Sequence, residues 1–297
     1  MSSRHWRSRR AAARRRSKGP EVNSEPDDRP PRAMARDREH PAPLRNWMGR
    51  ELDFPGSAPL RKSYVVASSY RCGSTFFCSE LWRTGVLGAP AEYLNIGAGR
   101  MLRDVMARRL QASSPEDYIL KLLAHRTSRN GVFGVKAHFH HFEAALTWCP
   151  SMLERLSPVT CIHLNRRDGV AQAVSMAMAM QTNAWTSMDA AAAITPRYDE
   201  GLIRQCVEEI GRQRLGWLRW FDVNAIAPVV IDFEDLIADP AGVVRGVAEL
   251  LGVEDDEPEQ VHPPPVRKQG DEINLAWAAR FRRDNNLPPA AATDRAS

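Results

Sequence analysis

The chain has no long hydrophobic run. Among its 297 residues the most apolar stretch, Val170 to Met180, is interrupted by Gln172 and Ser175, and it falls short of the roughly 18 residues a membrane-spanning helix needs. The early arginines are followed by only Ala11 to Ala13 before Arg14, Arg15 and Arg16. The apolar core of a secretory signal is therefore missing, and a cytoplasmic location with no transmembrane segment is expected. Cysteine is sparse: Cys72, Cys78, Cys149, Cys161 and Cys206 are odd in number, widely spread and without a CxxC pair. That excludes a disulfide framework or zinc-finger spacing and implies reduced thiols with no bound metal.

The net charge of +5 suggests nucleic acid until it is divided by position. Residues 1–61 hold 15 basic and 8 acidic groups, whereas the remaining 236 hold 26 and 28, so the body of the protein carries −2. No nucleic-acid partner is expected from such a body. The first segment also carries eight of the 21 prolines and no apolar periodicity. It reads as a disordered Arg/Pro-rich tail over 1–61, because it has too little to bury to offset the entropy of ordering. A domain is expected over 62–285, and 286–297 reads as a flexible C-terminal end.

Within the domain, Ser63 to Ala67, Gly131 to Ala137, Val159 to Leu164 and Pro228 to Asp232 are short β-branched or apolar runs, each followed by a turn and a helical pattern. Helices run from Thr75 to Thr84, closed by Gly85, and from Gly242 to Leu251, where Val243, Val244, Val247, Leu250 and Leu251 mark one face. Strands separated by helices rather than by tight hairpins predict an α/β fold, with a mainly parallel central sheet flanked by helices.

Ligands of such sheets sit beyond the carboxyl ends of the strands. The turn after the first strand reads Ser68-Ser69-Tyr70-Arg71-Cys72-Gly73-Ser74-Thr75. A glycine-hinged helix start with two hydroxyls suits a phosphate or sulfate, and Arg71 adds fixed charge; the same residues also make good N-cap chemistry without any ligand. A Walker A loop needs a lysine that is absent here. Cys72 is a poor phosphatase nucleophile, since no phosphate-cradling arginine follows it.

This loop resembles the 5′-phosphosulfate-binding loop of sulfotransferases that use 3′-phosphoadenylyl sulfate (PAPS). Four further segments follow in order: Gly88 to Tyr93, Val159 to Ser175, Gln181 to Trp185, and Asp232 to Pro240 continuing through Leu250 to Gly252. Together they resemble the Stf0 group of bacterial sulfotransferases, which includes an enzyme acting on trehalose, over about Ser63 to Asp284. The resemblance implies the P-loop-NTPase-like sulfotransferase fold and sulfuryl transfer from PAPS, without metal, to a hydroxyl of a carbohydrate or glycolipid. A homodimer is plausible by the same resemblance. The alternative is a P-loop-like nucleotide-binding kinase or regulatory protein, against which the missing Walker lysine stands.

The resemblance also assigns roles. Glu92, on the Pro-x-Glu-aromatic pattern of Pro90 to Tyr93, matches the acidic base; alone it reads as a solvated loop carboxylate. Arg71 stands where cytosolic sulfotransferases have lysine and becomes the candidate clamp on developing charge. Cys72, Gly73, Ser74 and Thr75 would hold the 5′-phosphosulfate, and Arg166 and Ser175 the 3′-phosphate, with Arg167 as the fallback. Arg267 and Lys268 partly match a basic-glycine loop over the nucleotide, or form a solvated pair. Tyr93, Gln181 and Trp185 are the acceptor-site positions it offers. From the residues themselves, Lys136 and His138 join them, since an extended Lys136 to His140 would put His138 and His140 on one face as rival bases. Trp217 and Trp220 read as packing residues.

Overall fold

The four apolar runs form parallel strands in the order β2-β1-β3-β4: β1 Lys62–Ser68, β2 Val132–His138, β3 Val159–Asn165 and β4 Val229–Asp232. Each lies within one residue of its expected start and end. This arrangement is seen in a computed structural model that describes residues 47–54, 56, 58–95, 102–185, 194–253 and 272–290. The helices are α1 Ser74–Arg83, α2 Leu102–Leu110, α3 Pro115–Arg126, α4 Phe139–Trp148, α5 Met152–Arg155, α6 Gly169–Thr182, α7 Glu200–Val223, α8 Phe233–Ala238, α9 Pro240–Leu250 and α10 Glu272–Asp284. None of the described helices is long and apolar enough to cross a membrane.

The sheet is buried on both faces, which is why its strands read as apolar runs without polar alternation. Val65 and Ala67 of β1 join Phe133, Val135 and Trp217 on one side, while Tyr64 and Val66 join Phe77, Leu81 and Ile162 on the other. Each such side chain taken fully out of water contributes about 1.5–3 kcal/mol. The faces meet closely at Gly134, where a Cβ would fall 2.4 Å from the Tyr64 ring and hydroxyl. That hydroxyl donates to the Leu87 carbonyl at 2.7 Å. Of the two edge strands, β2 is buried throughout, whereas β4 leaves Val230 exposed. On α9, Val247 is buried as the periodicity requires, but Leu250 is exposed; it lies at the last turn, outside the seam.

The 1–61 tail needs a new boundary. Residues 1–46 and 291–297 lie outside the described residues, but Trp47, Met48, Leu52 and Phe54 are buried in the main core. Asp53 fixes this segment: its carboxylate takes two bonds from Arg109 at 2.7 and 2.9 Å and pairs with the fully buried Arg126 at 3.1 Å. Arg126 also donates to the Gly49 carbonyl at 2.8 Å. Four apolar residues in eight positions have no helical or strand period, so the pattern gave no signal of their burial.

β1 is followed in sequence by β2 on one side and later by β3 on the other, so the carboxyl ends of β1 and β3 flank a topological switch point. The loop after β1 opens there.

Candidate active site

Arg71 and Gly73 in the turn after β1 both have positive φ, 60° and 84°. Gly73 is the N-cap of α1, and no side chain caps that end, so the first-turn N–H groups and the positive end of the dipole face outward from the sheet's edge. Gly73 has a second reason to lack a side chain, because a Cβ would fall 2.4 Å from the Phe233 ring. Two contacts from neighbouring elements brace the turn: the buried Gln172 donates to the Ser69 hydroxyl at 2.9 Å and the Tyr70 carbonyl at 2.6 Å, and Trp217 donates to the Ser68 carbonyl at 3.0 Å. Trp217 is thus a packing residue, as expected, with a polar task as well.

Arg166, at the end of β3, and Ser175, in α6, converge on the same turn. Arg71 Nε donates to Ser175 Oγ at 2.9 Å and its Nη1 to the Trp185 carbonyl. Arg166 Nη1 donates to the Arg71 carbonyl at 3.2 Å, and its guanidinium lies 4.7 Å over the Phe233 ring. Burial pushes the Arg166 pKa down from the ordinary arginine value, against the opposing pull of Asp168 and Glu234. Its Nε is buried without a hydrogen-bond partner among the described residues. An unused donor on a buried guanidinium suits an anion. Arg167 instead points away, exposed, to Glu234 and Asp235. The acidic segment after β4 is structural: Glu234 accepts from the Arg167 and Asp168 N–H groups at 3.1 and 3.3 Å and so shapes the turn that carries Arg166.

Glu92 stands across the turn from this cluster. Lys136 Nζ lies 2.6 Å from Glu92 Oε1 and 3.0 Å from Thr75 Oγ1, so one buried ammonium links the loop carboxylate to the first turn of α1. Asn95 donates to the other carboxylate oxygen at 2.8 Å. His138 Nε2 is 3.9 Å from Glu92, and its Nδ1 meets Ser68 Oγ at 3.1 Å. Burial, partly countered by the Glu92 charge, pushes the His138 pKa down to about 3. The ring is neutral at physiological pH and a poor proton acceptor. A small cleft opens here, lined by Thr75, Glu92, Lys136, Trp47, Met48 and Leu102 among others.

Several expected positions lie elsewhere. Tyr93 is fully buried; its hydroxyl donates to the Ala89 carbonyl and its ring packs on Phe133, so it belongs to the core rather than to an acceptor surface. Gln181 spends its amide on Arg197, donating to the carbonyl and accepting from the N–H, each at 2.8 Å. It holds a loop together. The Cys72 thiol is buried and donates to the Ser69 carbonyl at 3.0 Å, with burial raising its pKa, so only its backbone borders the turn. Ser74 is buried at the start of α1, whereas Thr75 is half-buried and its hydroxyl accepts from Lys136. Trp185 borders the Arg71 side, its ring 6.3 Å from that of Tyr70. His140 is on α4, not on a strand, and is held between the Tyr70 hydroxyl and Gln213 at 3.2 and 2.8 Å. Arg267 and Lys268 lie outside the described residues.

Sequence reasoning passed over Gln172, Trp47 and Met48. The first had a readable signal: Gln172 and Ser175 are the polar pair of the apolar stretch Val170 to Met180, three apart and so on one face, and both make hydrogen bonds to the turn. The other two had none.

Residues 63–284 match the family model described as Stf0 sulphotransferase. The trehalose 2-sulfotransferase of Mycolicibacterium smegmatis (strain ATCC 700084 / mc(2)155) is 27% identical over 258 residues, covering 75% of this chain and 95% of that protein. The trehalose 2-sulfotransferase of Mycobacterium tuberculosis (strain ATCC 35801 / TMC 107 / Erdman) is 25% identical over 259 residues, with the same coverage of 75% and 95%. Among solved structures, the sulfotransferase from Alicyclobacillus acidocaldarius aligns with a TM-score of 0.42 at 16% identity, over 77% of this chain and 97% of that one.

Proposed function

The chain belongs to the Stf0 sulphotransferase family, and from that premise we propose that it transfers the sulfuryl group of PAPS to a hydroxyl of a carbohydrate or glycolipid, with Glu92 as general base. The observation that carries this reading is the position of Lys136, 2.6 Å from Glu92 and 3.0 Å from Thr75. A carboxylate able to take a proton from an acceptor hydroxyl stands one ammonium away from a helix start suited to an anion.

The residues of the turn fit the donor. Arg166, with its buried unpartnered Nε, and Ser175 would hold a 3′-phosphate, and the N–H groups of Gly73, Ser74 and Thr75 a 5′-phosphosulfate. When bound, PAPS supplies an activated sulfuryl group on a bisphosphate leaving group. Arg71, expected as the clamp on developing charge, donates to Ser175, which supports reading it with the proposed 3′-phosphate residues. The charge beside the sulfuryl end then falls to Lys136, in a site where preorganised cations act at full strength because little water screens them. His138, with its pKa near 3, orients and packs rather than accepting the proton. Five buried free thiols are in keeping with action in a reducing compartment such as the cytoplasm.

Glu92→Gln keeps the shape and the Asn95 contact but removes the base. It is expected to lower kcat by about 10²–10⁴-fold, while the affinity for adenosine 3′,5′-bisphosphate stays within a factor of about two. Wild-type turnover in this variant would assign the base elsewhere.

A further inference from the structure

We infer that Arg282 is a positioning residue for the donor side of the site: by pairing with Asp168 it withholds that carboxylate from Arg166 and leaves the Arg166 guanidinium to an anionic ligand. This rests on the sulfotransferase reading, in which that ligand is the 3′-phosphate of PAPS. It adds to that reading a residue 114 positions away from the one it engages.

Two carboxylates act on the buried Arg166, those of Asp168 and Glu234. Among the described residues neither accepts a hydrogen bond from it: Arg166 donates to the Arg71 carbonyl at 3.2 Å, and its Nε has no partner. Each carboxylate is engaged by another arginine instead. Glu234 lies 3.5 Å from Arg167 Nε and accepts from the Arg167 and Asp168 N–H groups. Asp168 Oδ1 accepts from the Ala171 N–H at 2.9 Å, which caps α6, and from Arg282 Nη2. The Arg282 side chain is 13% exposed and that of Asp168 28%, so water screens this pair less than one on the open surface. A guanidinium needs no neighbouring carboxylate to stay charged at neutral pH. An unpaired Asp168 would therefore do nothing for Arg166 except compete with an incoming anion for it.

The pair is not needed merely to hold α10 in place. The Tyr198 hydroxyl donates to Asp284 at 3.1 Å, the Tyr198 and Trp277 rings meet edge to face at 5.8 Å, and Arg204 donates to Asn285 at 2.7 Å, all of them tying the end of the chain to α7 and the residues just before it. Arg282 reaches elsewhere, to the N-cap of α6 two residues beyond Arg166. Its partner is thus the one carboxylate whose release would change the charge facing the turn while leaving these other anchors intact.

The test is a double-mutant cycle in the full chain, with wild type, Arg282→Met, Asp168→Asn and the double variant titrated calorimetrically with adenosine 3′,5′-bisphosphate and with adenosine 5′-monophosphate. Asp168→Asn removes the charge and keeps an oxygen to cap α6. Arg282→Met should weaken the bisphosphate about tenfold and leave the monophosphate within a factor of about two, a selectivity that general distortion of the site would not produce. In the Asp168→Asn background the same change should cost less than a factor of about two, because no carboxylate remains to compete. Arg282→Lys, which keeps a charge for Asp168, should fall between wild type and Arg282→Met. Unchanged affinity in Arg282→Met overturns the inference, as does equal weakening of both nucleotides or the same loss in both backgrounds. Wild type that binds the two nucleotides alike, or neither, overturns the sulfotransferase reading on which the inference stands.

Discussion

The two halves of the candidate site are built in different ways. The side proposed for the donor is gathered at one edge of the sheet: the turn 69–73, the first turn of α1, the end of β3 and one face of α6 supply nearly all of it, and although Arg71 and Ser175 lie 104 positions apart they meet because parallel strands deliver their loops to one edge. The side proposed for the acceptor has no such common edge. Glu92 comes from the loop after α1, Lys136 from β2, Leu102 from α2, and Trp47 and Met48 from a segment upstream of the first strand. Both sides therefore depend on tertiary contacts, the first on one sheet edge that brings its loops together and the second on separate elements that meet beside Glu92 and Lys136.

Lys136→Met is the strongest way to break this division, since Lys136 belongs to both halves. It should lower kcat by about 10²-fold or more, while the bisphosphate affinity, measured by calorimetry, changes far less. Comparable losses in both would mean that Lys136 serves the donor alone. Asp53→Ala probes the acceptor half. It leaves the buried Arg126 without its carboxylate and should cost about 3 kcal/mol of folding free energy, read from the denaturant midpoint, with bisphosphate binding intact well below the melting range. Arg166→Ala probes the donor half: roughly ten- to hundredfold weaker binding of adenosine 3′,5′-bisphosphate, with adenosine 5′-monophosphate little affected. Equal weakening of both nucleotides would remove Arg166 from the 3′-phosphate.

The last prediction is a pH slope. His138 has a folded pKa of about 3 against an ordinary value of 6.5, so between these values the unfolded chain binds the extra proton. Its contribution to stability is complete above pH 6.5 and is lost as pH falls toward 3, by at most about 1.4 kcal/mol per pH unit. His163, lowered by burial as well, adds in the same sense. His138→Gln should flatten the slope of unfolding free energy in that window.

The same contrast explains what could be read beforehand. Strand positions were legible because a sheet covered on both faces needs continuous apolar runs, and the turn was legible because a polar stretch with Gly73 separates the first such run from a helical period. The roles expected of Glu92 and Arg166 came only through the resemblance, since a loop carboxylate or a lone arginine has no pattern of its own. Tyr93 and Gln181 were misplaced for a shared reason: neighbours of a functional residue in sequence point to other faces, Tyr93 into the core and Gln181 back onto Arg197. The Trp47 segment was illegible because its apolar residues fill an irregular gap and Asp53 reaches partners 56 and 73 positions away.

The central claim, a donor pocket that distinguishes a 3′-phosphate, is tested most directly by calorimetric titration of the wild-type chain with adenosine 3′,5′-bisphosphate and then with adenosine 5′-monophosphate. Micromolar binding of the first with the second at least tenfold weaker is the expected result. Equal affinity for both, or binding of neither by the folded protein, would contradict the account.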